Sequence, residues 1–186
     1  MDLTNEWYIY DDAIDSATCT KIIELADNDF EQGKMYGTAS SKNERASDVF
    51  WTKEQWLIDL IWSYMQDANE QAGWQYKIVG IEPMQITRYK TDDFINFHTD
   101  GGSDNFTPDN RIRKLSMTVI LNDAYEGGQF QFASLTREPR AEINTTKYNG
   151  TGTVIVFPSF MMHRVKPVTK GVRYSLVAWF IGEPFK

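Results

Sequence analysis

Three neighbouring runs decide the fold: Gly152-Thr153-Val154-Ile155-Val156-Phe157-Pro158, Met161-Met162-His163-Arg164-Val165 and Arg173-Tyr174-Ser175-Leu176-Val177-Ala178-Trp179. Each is short, rich in β-branched or large apolar residues, and set off by Gly, Pro or Lys, the pattern of a strand. In the third run Arg173, Ser175, Val177 and Trp179 alternate with Tyr174, Leu176, Ala178 and Phe180. Both sets are fairly apolar, so this strand is expected to be buried on both faces. Residues 161–182 read as a hairpin around Lys166-Pro167-Val168-Thr169-Lys170-Gly171. Antiparallel register about Val168 would make His163 and Arg173 cross-strand neighbours, with Cβ atoms about 5 Å apart. A guanidinium buried there is costly without an anion, and the hairpin carries no acid before Glu183. A remote Asp or Glu, a solvent edge to snorkel to, or a bound dicarboxylate gripped by a bidentate fork would each meet the need.

Working outward, further strand-like runs lie at 75–80, 83–90, 94–98, 114–121 and 128–132. With 152–157, 161–166 and 172–181 they make eight, which suggests a sandwich or jelly roll. Before residue 74 the pattern is helical. Glu6 to Tyr10 reads as a short strand. Asp15 or Ser16 can cap a helix with the stripe Cys19, Ile22, Ile23, Ala26 and Phe30. Residues 31–50 read as a long polar loop. Thr52 and Gln55 form a capping-box signature ahead of a long helix whose apolar face is Trp56, Leu57, Leu60, Ile61, Tyr64, Ala68 and Ala72, with Gly73 at its C-terminal cap. The expected class is mainly β with α, two helices covering one outer sheet face. The whole chain, 1–186, reads as one domain, with a helical support region at 1–80 and a jelly-roll core at 81–186.

Composition narrows the function. Lys and Arg number 19 against 26 Asp and Glu, a net charge of −7, which argues against sequence-independent nucleic-acid binding. The longest apolar run, Leu176 to Ile181, is far too short for a membrane span. The N-terminus has no basic or apolar leader pattern, and Cys19 is a lone cysteine, so a cytoplasmic protein without disulfides is expected. There are two histidines, His98 and His163, so any histidine chemistry must use them. In an extended strand His98 and Asp100 project to one face. With His163 they supply two imidazoles and one carboxylate, the facial set that leaves open positions on a non-haem iron. A zinc hydrolase on the same residues would want a general-base Glu, as in His-Glu-x-x-His, and the sequence has no such motif.

The order of these motifs resembles the Fe(II)/2-oxoglutarate-dependent dioxygenases, and within them the prolyl 4-hydroxylase-like group. The matching stretches are Tyr89-Lys90 and Ile95 to Asp100, Leu115 to Asn122, Glu126-Gly127-Gly128-Gln129-Phe130, Gly152 to Pro158, His163-Arg164-Val165 and Arg173 to Trp179. The resemblance implies a double-stranded β-helix. It implies Fe(II) on His98, Asp100 and His163, and 2-oxoglutarate held through its far carboxylate by Arg173. O2 would be consumed and succinate and CO2 released; ascorbate is a further requirement in some such enzymes. Tyr89 matches a co-substrate contact and Trp179 an aromatic near the iron pocket, though either also suits a core. Where related chains place a second tyrosine this one has Val119, which leaves Thr118 or Ser175 as alternative donors. Gly127-Gly128 suit a bulge or tight turn.

The implied reaction is hydroxylation of a substrate C–H, in the manner of procollagen-proline 4-dioxygenase, on a prolyl residue of a peptide or protein. Residues 36–50 and 101–110 would be lid loops. Arg111, Arg113 and Arg164 would flank the mouth and touch substrate, or stay solvated. The alternatives are an oxygenase acting on a free amino acid or other small molecule, and a non-catalytic jelly-roll binding module.

Overall fold

The computed structural model describes residues 5–26, 29–33, 44–101, 110–133, 142–144 and 150–184. Its elements run β1 (Tyr8–Tyr10), α1 (Ser16–Glu24), β2 (Glu31–Gln32), β3 (Arg45–Ala46), β4 (Asp48–Thr52), α2 (Gln55–Gln71), β5 (Ile78–Ile81), β6 (Met84–Tyr89), β7 (Phe94–His98), β8 (Ile112–Ile120), β9 (Tyr125–Gly127), β10 (Phe130–Ala133), β11 (Glu142–Asn144), β12 (Val154–Pro158), β13 (His163–Val165), β14 (Val168–Gly171) and β15 (Arg173–Gly182). A large sheet has the order β1-β12-β8-β15-β6-β4-β2, with β5 also on β15. A smaller one runs β11-β10-β13-β7-β3, and β14 pairs β9 as a ribbon. The fold is the expected jelly roll: mostly strand, with both helices on one sheet.

Alternation assigns the two faces of the large sheet. Leu115, Met117 and Val119 of β8, Val154 and Val156 of β12, and Leu176, Ala178 and Phe180 of β15 turn to the helices. There they meet Cys19 and Ile22 of α1 and Leu57, Ile61, Met65 and Ala68 of α2. The intervening residues face the smaller sheet. Ile155 and Phe157 pack there with Phe130, Phe132, Ile95 and Val165. Buried Gln85, Thr87, Ser116, Thr118 and Ser175 share that inner face. The outer side is therefore an apolar core, while the space between the sheets is partly polar.

The helix ends follow local chemistry. Asp15 caps α1: its carboxylate accepts from the Thr18 backbone N–H at 2.9 Å and the Thr18 hydroxyl at 2.8 Å. Gly73 closes α2 at φ 73°, its N–H bonded to the Glu70 carbonyl at 3.0 Å. The capping box on Thr52 and Gln55 does not form. Glu54 is the N-cap and makes no side-chain cap bond. Thr52 belongs to β4, and its hydroxyl accepts from the Glu54 N–H at 3.2 Å.

Two further expectations are corrected. Residues 161–182 are not a hairpin. β13 lies in the small sheet between β10 and β7, while β15 lies in the large sheet between β8 and β6. The intervening Val168–Gly171 is too β-branched for a tight turn and forms a strand of its own against β9. His163 consequently pairs with His98, and Arg173 with Tyr89. The segment 31–50 is also not all loop. It carries β2, β3 and the start of β4, whose Val49, Phe50 and Trp51 pair with Thr87, Ile86 and Gln85. Residues 36–43 and 102–109 of the expected lids lie outside the described residues.

Ile61 is fully buried where α2 meets the sheet. Ile61→Ala should therefore destabilise the protein by about 2–5 kcal/mol, read as a lower denaturation midpoint at unchanged m-value. Metal binding under native conditions should be unaffected, because Ile61 lies on the opposite side of the large sheet from the histidines.

Candidate active site

His98 ends β7 and His163 opens β13, and the two strands pair with these residues opposite each other. Their rings lie 4.3 Å apart between centroids. Asp100 follows the end of β7, where its own N–H and that of Gly101 both bond to the Ser159 carbonyl, at 2.9 and 2.8 Å. This pins the Asp100 carboxylate between the imidazoles, with Oδ1 3.6 Å from His98 Nε2 and Oδ2 3.6 Å from His163 Nε2. One donor atom from each residue lies within 4.8 Å of the others.

The tautomers suit this use. His98 Nδ1 is 2.8 Å from the Asn96 carbonyl, and His163 Nδ1 is 2.9 Å from the Met161 carbonyl. A carbonyl only accepts, so each Nδ1 carries the proton and each Nε2 presents its lone pair towards Asp100. Burial, then the neighbouring His163, push the His98 imidazole down to a pKa of about 4. Burial alone would raise Asp100, but the histidines in their protonated forms, Arg113 and the Ser116 hydroxyl outweigh it and hold the carboxyl below its usual range. At neutral pH the site thus offers an ionised carboxylate and a neutral His98, the states that coordinate metals. Phe157 and Phe130 wall His163 at 4.7 and 5.4 Å between ring centroids.

The triad opens on a cavity of about 400 Å³, with Tyr89, Thr118, Ser175, Val177 and Trp179 on its large-sheet wall. Arg173 shares that face of β15 at its inner end. It is 1% exposed. Its Nη1 donates to Ser175 Oγ at 3.0 Å, while its buried Nε has no partner. Among the described residues no acid pairs with it. The guanidinium lies 5.2 Å over the Tyr89 ring. Gly128, at φ 62°, leaves room for the side chain, because a Cβ there would stand 3.0 Å from Arg173 Cδ.

The remaining expected residues divide. Trp179 lines the cavity against Trp51, with ring centroids 5.9 Å apart. Arg113 also lines it, but its charge is committed to Glu82 through bonds of 2.9 and 2.6 Å. Arg111 and Arg164 are not on the cavity wall; Arg164 donates to Gln131 at 2.8 Å. Val119 turns into the helix-side core, so the donor on that part of β8 is Thr118, which lines the cavity. Sequence reasoning missed Arg45, Gln85 and Trp51, all on the wall. The two-residue spacing of Val49 and Trp51 was the signal for β4, the strand that carries Trp51.

Two nitrogens and one carboxylate on one side of an open, partly polar cavity suit a divalent cation with free positions. An unmatched guanidinium alongside suits an anionic ligand.

Comparison with known proteins agrees. Residues 84–181 match the model of the 2OG-Fe(II) oxygenase superfamily. A PKHD-type hydroxylase of Thermosynechococcus vestitus is 36% identical over 111 residues, 59% of this chain and 46% of that protein. One of Alteromonas mediterranea is 28% identical over 168 residues, 84% of this chain and 69% of that protein. The chain spans about half the length of the first of these. Among solved structures, a Pseudomonas putida prolyl-4-hydroxylase superposes with a TM-score of 0.71 at 18% identity, covering 95% of this chain and 93% of that one. The viral collagen prolyl hydroxylase of Paramecium Bursaria Chlorella virus-1, in its 2OG complex, gives 0.70 at 19%, covering 96% and 97%. At such identities the structures speak for the fold, while the family model spans more than half the sequence and all four of His98, Asp100, His163 and Arg173. The chain belongs to the 2OG-Fe(II) oxygenase superfamily.

Proposed function

We propose that the protein is a 2-oxoglutarate-dependent dioxygenase that hydroxylates a prolyl residue in a peptide or protein. The observation that carries this reading is one juxtaposition: a His98–Asp100–His163 donor set beside a buried guanidinium that has no acid of its own. The PKHD-type hydroxylases among the relatives support the prolyl substrate. So does a structural neighbour from Trichoplax adhaerens, a prolyl hydroxylase in complex with a peptide fragment.

In this reading His98 and His163 donate through Nε2 and Asp100 through its carboxylate to Fe(II). The bound iron supplies the redox chemistry that couples oxidative decarboxylation of 2-oxoglutarate by O2 to substrate hydroxylation, with succinate and CO2 as co-products. The chain's own residues position and shield. Arg173 grips the far carboxylate of 2-oxoglutarate, with Ser175 holding one guanidinium nitrogen in place. Tyr89 packs under that guanidinium, and Thr118 offers a hydroxyl on the same wall. Asn96 and Met161 keep the imidazole protons on Nδ1. Phe130 and Phe157 keep water from the His163 side. Trp179 and Trp51 form an aromatic shelf on which an apolar ring such as proline can lie. No side chain acts as a nucleophile.

His98→Ala, Asp100→Ala and His163→Ala should each lower 2-oxoglutarate-to-succinate turnover at least about a hundredfold with unchanged far-UV circular dichroism. Near wild-type succinate formation in any of them would remove that residue from the ligand set. Arg173→Gln should weaken 2-oxoglutarate binding by about tenfold or more while leaving metal affinity within about twofold, both read by titration calorimetry. Anaerobic addition of Fe(II) and then 2-oxoglutarate to the metal-free protein should give a weak visible charge-transfer band only when both are present. Its absence would sink the oxygenase reading, and absence of a +16 Da product from every prolyl peptide offered would sink the prolyl one.

A further inference from the structure

Besides Arg113, whose charge is committed to Glu82, the cavity wall carries the guanidinium of Arg45, which this chemistry does not use. Arg45 lies on β3, at the edge of the small sheet, opposite Ile95 of β7. Ile95 is in turn opposite Val165 of β13, and all three side chains line the cavity. Arg45 is 8% exposed. Its Nε donates to Ser47 Oγ at 2.7 Å, yet its Nη2 is buried with no partner. The group is held rigidly from behind. A Cβ on Gly33 would fall 2.7 Å from Arg45 Nε, 2.9 Å from its Cζ and 2.9 Å from Ser47 Oγ. Gly33 itself is tied by its N–H to the Ser47 carbonyl at 2.8 Å. Glu31 stands on the same wall but is exposed, and among the described residues no ion pair joins it to Arg45.

A buried cation with an unmet donor costs free energy unless an anion completes it. 2-Oxoglutarate does not meet this need. One of its carboxylates would go to Arg173 on the large sheet, and its other end would belong to the metal site of His98, Asp100 and His163. Arg45 sits on the opposite sheet, where a third anionic group would have to arrive with another molecule. We propose that Arg45 anchors a carboxylate carried by the substrate, so that the molecule oxidised is an acidic prolyl peptide. This rests on the prolyl oxygenase reading and narrows its substrate class. The carboxylate can be an Asp or Glu side chain near the proline, or the C-terminal carboxylate of a peptide that ends close to it. A preorganised planar fork recognises either.

The test uses the full chain loaded with Mn(II) in place of Fe(II) and saturated with 2-oxoglutarate. Binding is followed by the fluorescence of Trp51 and Trp179. The probes are short prolyl peptides in matched pairs: Asp or Glu beside proline against Asn or Gln, and a free C-terminus against its amide. At least one acidic member should bind about tenfold or more tightly than its twin, and which pair does so tells side chain from C-terminus. Arg45→Gln should level the pair, Arg45→Lys should restore part of the difference, and 2-oxoglutarate affinity should stay within about twofold in both. If no acidic member outbinds its twin on the wild-type protein, the proposal falls, whether or not the variants fold. A preference that survives Arg45→Gln overturns it as well, and so does a loss of 2-oxoglutarate affinity in that variant. Acidic peptides that bind preferentially but gain no 16 Da with Fe(II) and O2 would instead overturn the prolyl reading and leave Arg45 an anion site.

Discussion

The molecule is organised around charge kept inside a sheet sandwich. Asp100 is 6% exposed and Arg173 1%. Removing such groups from water costs several kcal/mol each unless partners replace the lost hydration. Asp100 has the Arg113 guanidinium and the Ser116 hydroxyl near it, and two imidazole lone pairs that a cation would share with it. Arg173 has one hydroxyl and two aromatic faces, and its Nε has no partner at all. Such an interior is stable only because stability is made elsewhere. The dense apolar packing lies outside the functional space, where α1 and α2 cover the outer face of the large sheet. Ligands that supply a cation to the triad and an anion to the arginines then add to stability by mass action, since they bind the folded state alone.

The period of a strand lets one sheet do both jobs. Along β8, Leu115, Met117 and Val119 serve the helix-side core while Ser116 and Thr118 serve the cavity. Along β15, Leu176, Ala178 and Phe180 are structural, and Arg173, Ser175, Val177 and Trp179 face the site. A change of one residue in register would exchange the two sets and bury the polar one under the helices. The long shared ladder between β8 and β15, from Ser175 opposite Ile120 to Gly182 opposite Ile112, makes such a slip costly. That is why Val119, although adjacent in sequence to a cavity residue, is a core residue.

Much of this was legible from residues. His98 and Asp100 could be placed together because two-residue spacing is a local property of an extended chain. His163 joined them because the chain has no other histidine. Arg173 was picked out for a sound reason, a buried cation with no local acid, but through the wrong partner. Its pairing depends on how 166–172 passes from one sheet to the other, and that is decided by non-local contacts with β9. Arg45 was not legible. It occupies a two-residue strand in a polar stretch, and its place is set by pairing with β7 and by its bond to Ser47.

The placement of the two arginines bears on how the site can work. Arg173 sits on β15 opposite Tyr89, inside the large sheet, while Arg45 sits on the edge strand of the small sheet, against β7. His98, Asp100 and His163 belong to the small sheet and the turn that follows β7, so the candidate metal site lies against one wall and Arg173 against the other. A ligand held by Arg173 must therefore cross the cavity to reach the histidines, which suits an extended diacid. A ligand held by Arg45 would lie on the same sheet as the histidines, across the cavity from Trp51 and Trp179 of the large sheet. Two anions can then occupy the cavity together without competing for one guanidinium. Each of the two guanidinium groups then stands on its own sheet.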